Sequence, residues 1–350
     1  MGYTISASEK TRKKASETET KALLYLMNFD EDSNEIYYYI IDVINDISGH
    51  SVDMNSSWDI QSKGGKSNSP RSIGEETVTL FKNYMSEFDF VKSILFLGGV
   101  SSTLRIDKTA NVFGIENVCK DVKNNLIEGL KKACRKKGYI KKEWITDENI
   151  NKFLEQLIFV IDDKEKYDYI REIINIKSTI IVTNEVLIDI FNTIRDVQSA
   201  KKNNMKVEGE VINSPSDALK FKRHMTSKEI RVMSLNRIVN ANIMDKGMPL
   251  FFSEIICNLD RNEKMVVIED CKLNITKALF DKNNSDNFWE LFSEVYTRIT
   301  ENSENTIDEI YNMISINKIN NVHHLDKMSV KYLIALIMEW TYPKILDTFL

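Results

Sequence analysis

The stretch FVKSILFLGG, residues 90–99, constrains the fold more than any other part of the chain. A continuous apolar run of this length, closed by two glycines, predicts a buried strand rather than one with a wet face. Such a strand needs helices packed over it, which points to α/β layers. Its neighbours supply them. SPRSIGEETVTLFKNYMSEF, residues 69–88, opens with Ser72 and Glu75 at capping-box spacing and carries Ile73, Thr77, Leu80, Phe81, Tyr84 and Phe88 as one helical stripe. Residues 8–28 predict another helix through Leu23, Leu24 and Met27, and Glu19 falls on its apolar side. Between these helices, EIYYYIIDVINDISGHSV predicts a strand or helix, then a turn, then a strand; the turn DMNSS and the short strand WDIQSK follow.

From about residue 115 the pattern changes to helices separated by short strands. Residues 115–137 place Ile115, Val118, Val122, Leu126, Leu130 and Ala133 on one face and stop at Gly138. LIFVID and TIIVT read as strands around the helix KEKYDYIREIINI, and residues 184–202 form a further helix. Beyond residue 215 the chain reads as mostly helical, including DNFWELFSEVYTRI and SVKYLIALIMEW. The expected class is α/β (α+β): a mixed sheet flanked by helices over residues 1–210, then a mainly helical region over 211–350 that would bind partners or oligomerise.

Composition narrows the chemistry. No stretch approaches the ~20 apolar residues that span a bilayer, and the N-terminus lacks a signal peptide's apolar core, so no membrane partner is expected and the cytoplasm is the expected location. Cys119, Cys134, Cys257 and Cys271 form no C-x-x-C pair and are expected to be reduced core residues. His50, His224, His323 and His324 have no metal-cage spacing. A net charge of −5 advertises no nucleic-acid partner, so a local cluster must carry that case. The clearest is KKACRKKGYIKK, residues 131–142, in which seven of twelve residues are basic: Lys131, Lys132, Arg135, Lys136, Lys137, Lys141 and Lys142. It reads either as a solvated helix face or as a phosphate-binding surface.

WDIQSKGGKS, residues 58–67, raises two incompatible readings. GGKS resembles the end of a phosphate-binding loop, but that motif requires a glycine where Ile60 stands. WDIQSK instead alternates as a strand, which lines Asp59, Gln61 and Lys63 along one face. A carboxylate, an amide and an ammonium in a row suit phosphodiester cleavage, which needs oxygen ligands for a divalent ion and a fixed cation beside the attacking water. On a bland reading, Asp59 and Lys63 are a surface pair on an edge strand.

Glu19 on the first helix, Asp46 or Asp53 before the hairpin, and Gln61 with Lys63 on the next strand lie in the order found in metal-dependent nucleases. In this the chain resembles the PD-(D/E)XK nuclease superfamily, and within it the double-stranded-DNA nuclease domains of bacterial antiphage defence. Those are the domains found with cyclic-oligonucleotide signalling systems and the nuclease subunit of Lamassu-type systems. NDIS preceding DIQSK, the helix IGEETVTLFKNY, and the stretches IFNTIRDVQSAKKNNMKVEG and ALKFKRHMTSKEI carry the resemblance over roughly the first two-thirds of the chain.

The resemblance implies a restriction-endonuclease-like N-terminal fold and a Mg²⁺- or Mn²⁺-dependent DNA endonuclease of low sequence specificity, acting as a defence effector. It implies catalytic roles for Glu19, Asp46, Gln61 and Lys63, and metal ligands drawn from Asp46, Asp53, Asp59 and Gln61. Asp46 is favoured over Asp53 by the NDIS context. Double-stranded DNA is the implied substrate, held by the basic run. Control would come from partner proteins, among them an SMC-like ATPase, or from assembly into a homo-oligomer. Gln61 departs from the superfamily's acidic residue, which keeps open a second reading: a nuclease-fold subunit that binds DNA or scaffolds a complex without cutting.

Overall fold

The computed structural model describes residues 3–5, 17–174, 183–242, 247–281, 285–302 and 304–341. The chain divides into a sheet-containing unit, Met1–Ile173 with Leu187–Arg231, and a second unit, Ile174–Val186 with Val232–Leu350.

The first unit is built on seven strands. They are β2 (Tyr38–Ile41), β3 (Ile47–His50), β4 (Ser57–Lys63), β5 (Lys92–Leu97), β6 (Val112–Phe113), β7 (Leu157–Ile161) and β9 (His224–Thr226), in the spatial order β6-β7-β5-β4-β3-β2-β9. The strands β2, β3 and β4 form an antiparallel meander, whereas β4, β5 and β7 run parallel. A separate two-stranded ribbon pairs β1 (Tyr3–Thr4) with β8 (Val211–Ile212).

The apolar run that constrains the fold is β5, and Ile94, Leu95, Phe96 and Leu97 are all fully buried. Its alternation feeds two cores. Leu95 and Leu97 join Ile73, Phe81, Leu126, Phe153 and Phe159, contributed largely by the helices α2 (Pro70–Glu76), α3 (Val78–Tyr84), α4 (Lys120–Lys136) and α5 (Asp147–Gln156). Phe96 points the other way, against Tyr25 of α1 (Glu17–Leu26) and Tyr169 of α6 (Lys166–Ile174). The helix α7 (Asn184–Lys202) completes the unit's main elements.

Several expectations change in detail. The helix expected over 69–88 is two helices broken at Thr77, whose hydroxyl donates to the Gly74 carbonyl at 2.8 Å and so competes with the helical ladder. Its N-cap is Ser69, which accepts from the Ser72 amide with Pro70 in the first turn, rather than the Ser72–Glu75 box. The first helix is described only from Glu17, and residues 8–16 lie outside the described residues. So does most of TIIVT. EIYYYIIDVINDISGHSV resolves into two strands. The region after 210 is not wholly helical, because β9 pairs with β2 through Tyr39 and Met225 and extends the sheet unit to Arg231.

All described elements of the second unit beyond Arg231 are helical: the rest of α8 (Ser227–Asn242), α9 (Phe252–Ile255), α10 (Arg261–Phe280), α11 (Ser285–Glu301), α12 (Ile307–Met313), α13 (Ile316–Asn321) and α14 (Lys327–Thr341). In α14, Val330 and Tyr332 through Leu336 are buried, which makes it the unit's central helix. The four cysteines are free thiols; Cys134 and Cys271 are buried as expected, whereas Cys257 is exposed. Among the described residues no helix is long and apolar enough to cross a membrane.

Candidate functional site

Strand register decides which of the candidate side chains can meet. In the β3–β4 hairpin Ile47 lies opposite Ile60 and Ser48 opposite Asp59, so the residue leading into β3, Asp46, abuts Gln61 and Ser62. One carboxylate oxygen of Asp46 accepts three hydrogen bonds: from Gln61 Nε2 at 2.9 Å, the Ser62 amide at 2.8 Å and the Ser62 hydroxyl at 2.9 Å. The loop that presents Asp46 is a tight turn from β2 to β3, with Asp42 in the left-handed region at φ 53°. Arg223 holds that strained residue by donating to its carbonyl and its carboxylate, both at 3.1 Å, in a buried ion pair.

Glu19 enters from α1, which packs on β3 and β4. Burial first and the Glu19 charge second raise the Asp46 carboxyl, the Ser62 hydrogen bonds and Lys202 act against them, and the net value is about 6. Lys202, on the last turn of α7, lies 3.2 Å from a Glu19 carboxylate oxygen, and both side chains are largely buried. One turn earlier the Thr20 hydroxyl donates to Gln198 Oε1 at 2.9 Å, so α7 grips α1 at two successive residues.

Gln61 and Lys63 share a face of β4, beside Leu95 and Leu97 of β5. Lys63 forms an ion pair with Glu76 of α2 at 2.7 Å. Asp59 belongs to the same face but has a different role from the ligand expected. It is fully buried, and its two oxygens accept from Asn45 Nδ2 at 2.9 Å and Asn83 Nδ2 at 2.7 Å. Asn83 in turn accepts from the Tyr3 hydroxyl at 2.6 Å. Burial pushes the Asp59 carboxyl up to about 7. Strand period fixes the face of a side chain but not its depth, and Asp59 lies too deep to meet a substrate. It steadies the site instead, because Asn45 Oδ1 also accepts from the Asp46 amide at 3.0 Å.

Asp53 is likewise not part of the cluster. It sits exposed in the β3–β4 turn beyond the His50–Ser57 pair, at the other end of the hairpin from Asp46. Its carboxylate caps its own turn, accepting from the Ser51 hydroxyl at 2.6 Å and from the amide and side chain of Asn55, which holds its pKa below the ordinary carboxylate value. The structure therefore brings Asp46 and Gln61 into contact, with Glu19 on the helix packed over β3 and β4, near enough to Asp46 for its charge to be felt, and Lys63 on the same strand as Gln61. Among the described residues there is no group of three or more His, Cys, Asp or Glu placed to hold a metal. The oxygen donors present are two carboxylates and an amide.

The basic run divides into two sets. Lys131 pairs with Asp147 at 2.7 Å and Glu128 at 3.2 Å, and Lys132 with Glu75 at 2.8 Å. Arg135, Lys136, Lys137, Lys141 and Lys142 are exposed, and Lys141 lies over the Trp144 ring. The GGKS segment leads from β4 into a loop, and the next helix begins only at Pro70, so its backbone does not form the strand–loop–helix cradle of a phosphate-binding loop. Sequence reasoning missed Lys202, Gln198 and Ser62. A lysine at a helix C-terminus reads as solvated, and nothing local announces a partner 183 residues away. No protein-family model, no curated protein and no solved structure matches this chain.

Proposed function

We propose that the chain is a divalent-metal-dependent DNA endonuclease of low sequence specificity, serving as the effector of a bacterial antiphage system. One observation carries this reading: Asp46, leading into β3, is bonded to Gln61 of the antiparallel neighbour β4, close enough to Glu19 for the two carboxylates to repel. Together with Lys63 two residues on, this is the set the resemblance implies, on a helix, three antiparallel strands, helices and a parallel strand.

The donor set fits Mg²⁺ or Mn²⁺. Asp46 gathers its three hydrogen bonds on one oxygen, and its carboxyl is harder to ionise than usual because it is buried and, secondarily, because the Glu19 charge stands near, a combination that a bound cation would offset. Glu19, Asp46 and the Gln61 amide oxygen would hold the ion, which supplies an activated water and neutralises phosphoryl charge. Lys63 would stabilise the charge that builds on phosphorus, after exchanging its Glu76 partner for a phosphate oxygen. Arg135, Lys136, Lys137, Lys141 and Lys142 would hold a duplex through its phosphates, without reading bases. The second, helical unit is the proposed docking surface for defence partners such as an SMC-like ATPase, in the cytoplasm.

The second reading, a nuclease-fold subunit that binds DNA without cutting it, is favoured by the neutral Gln61 and by the Lys63–Glu76 pair. Supercoiled plasmid incubated with the purified chain and Mg²⁺ or Mn²⁺, alone and with its partner proteins, separates the two. Nicking that is lost in Asp46→Ala supports the endonuclease. Retention of plasmid without nicking under every condition supports the binding subunit.

A further inference from the structure

Lys202 adds a charge that the proposed chemistry does not use. Its side chain is only 8% exposed, and it comes from α7, outside the strands and helix that carry the other site residues. The ammonium reaches both oxygens of Glu19, at 3.2 and 3.4 Å, and is near enough to Asp46 and Asp42 to favour their ionised forms. A buried lysine loses hydration that its ion pair with Glu19, and the two carboxylates whose ionisation it favours, help to replace. Anchoring α7 does not require it, because Gln198 already accepts from Thr20 one turn earlier, and α7 buries Leu187, Ile190, Phe191 and Ile194.

A cation approaching Glu19 therefore meets an occupied carboxylate and a like charge at close range. We infer that Lys202 is a resident counter-cation that competes with the divalent metal for Glu19, so that it sets how much metal the site needs. This inference rests on the metal-dependent reading of the same site. Its consequence is that loading the metal means parting Lys202 from Glu19. Removing the ammonium should therefore tighten metal binding, the opposite of what losing a ligand or a structural prop would do.

The test is Mn²⁺ binding to the chelator-treated full chain without DNA, followed by the electron paramagnetic resonance signal of free Mn²⁺. Lys202→Gln should lower the Mn²⁺ dissociation constant about tenfold, as expected when one repelling charge a few ångströms away is removed. Lys202→Arg, which keeps the charge, should bind as the wild type does. Asp46→Asn should lose the site. Circular dichroism and a thermal melt establish that each variant is folded, and if Lys202→Gln is not, Lys202→Met takes its place. Unchanged or weaker Mn²⁺ binding in a folded uncharged variant overturns the role of Lys202 and leaves the metal site standing. A wild-type chain with no Mn²⁺ site sensitive to Asp46→Asn overturns both.

Discussion

Burial and the Glu19 charge raise the Asp46 carboxyl to about 6, within the range in which a cell or an assay is buffered. A carboxyl must be ionised to hold a cation, so metal affinity should fall as pH drops through that value. Mg²⁺ titrations at pH 5.5, 6.5 and 7.5 should give a larger loss between 6.5 and 5.5 than between 7.5 and 6.5; equal affinities at all three would contradict the assignment. Asp59 makes a separate prediction, about stability. Its folded pKa of about 7 lies above the ordinary 3.8, so between those values the folded chain binds more protons than the unfolded one. Stability from Asp59 is then fully present in acid and is lost as pH rises through about 7. Asp59→Asn should be more destabilising relative to wild type at pH 5 than at pH 8, as read from urea midpoints. Equal differences would indicate an Asp59 that is ionised throughout. The pairing of Gln61 with Lys63 was legible because strand period is a local property. The preference for Asp46 over Asp53 could be drawn from the NDIS context, and the hairpin register places Asp46 against Gln61. The depth of Asp59 and the arrival of Lys202 depend on which distant segments pack together, and no local spacing encodes that.

The helices α2 and α4 cross at two glycines. A Cβ on Gly74 would lie 1.9 Å from the Leu126 carbonyl oxygen, and one on Gly129 would lie 2.1 Å from the Arg71 carbonyl oxygen, so backbone faces backbone with no side chain able to yield. This crossing fixes α2, from which Glu76 reaches Lys63 and Glu75 reaches Lys132. Gly74→Ala or Gly129→Ala should each cost on the order of 2 kcal/mol or more through overpacking. Gly138→Ala is the control, with nothing within 4 Å of the added carbon, and should be neutral or slightly stabilising. A thermal melt that leaves Gly74→Ala and Gly129→Ala at the wild-type midpoint would contradict the crossing. The apolar stripe of residues 69–88 made helices legible there, and the continuous apolar run did the same for β5. The break at Thr77 was not legible, because a single hydroxyl bonded to the Gly74 carbonyl is enough to interrupt the ladder. The strand β9 was hidden for another reason: HMT is too short to show a period, and its place at the sheet edge comes from pairing with β2, far earlier in the chain.

Within the sheet-containing unit, α4 packs on α2, so the exposed basic residues after Lys132 belong to the same body as Lys63. Lys131 and Lys132 already neutralise acids, which leaves Arg135, Lys136, Lys137, Lys141 and Lys142 for phosphates. Replacing Lys136 and Lys137 by alanine should weaken duplex binding equally for unrelated sequences, and should reduce the slope of log affinity against log salt by about 0.9 for each phosphate that the variant no longer neutralises. An unchanged slope would assign the run to a solvated surface. The central claim joins this binding surface to a cutting site on β4, and Lys63→Ala tests it most directly. The measurement is plasmid cleavage by the full chain, with its partners where they are needed, alongside duplex affinity for the same samples. Lys63 would act on charge that builds during reaction, so the account predicts turnover lower by roughly 10² to 10³ with duplex affinity nearly unchanged. Cleavage by Lys63→Ala at the wild-type rate would contradict it.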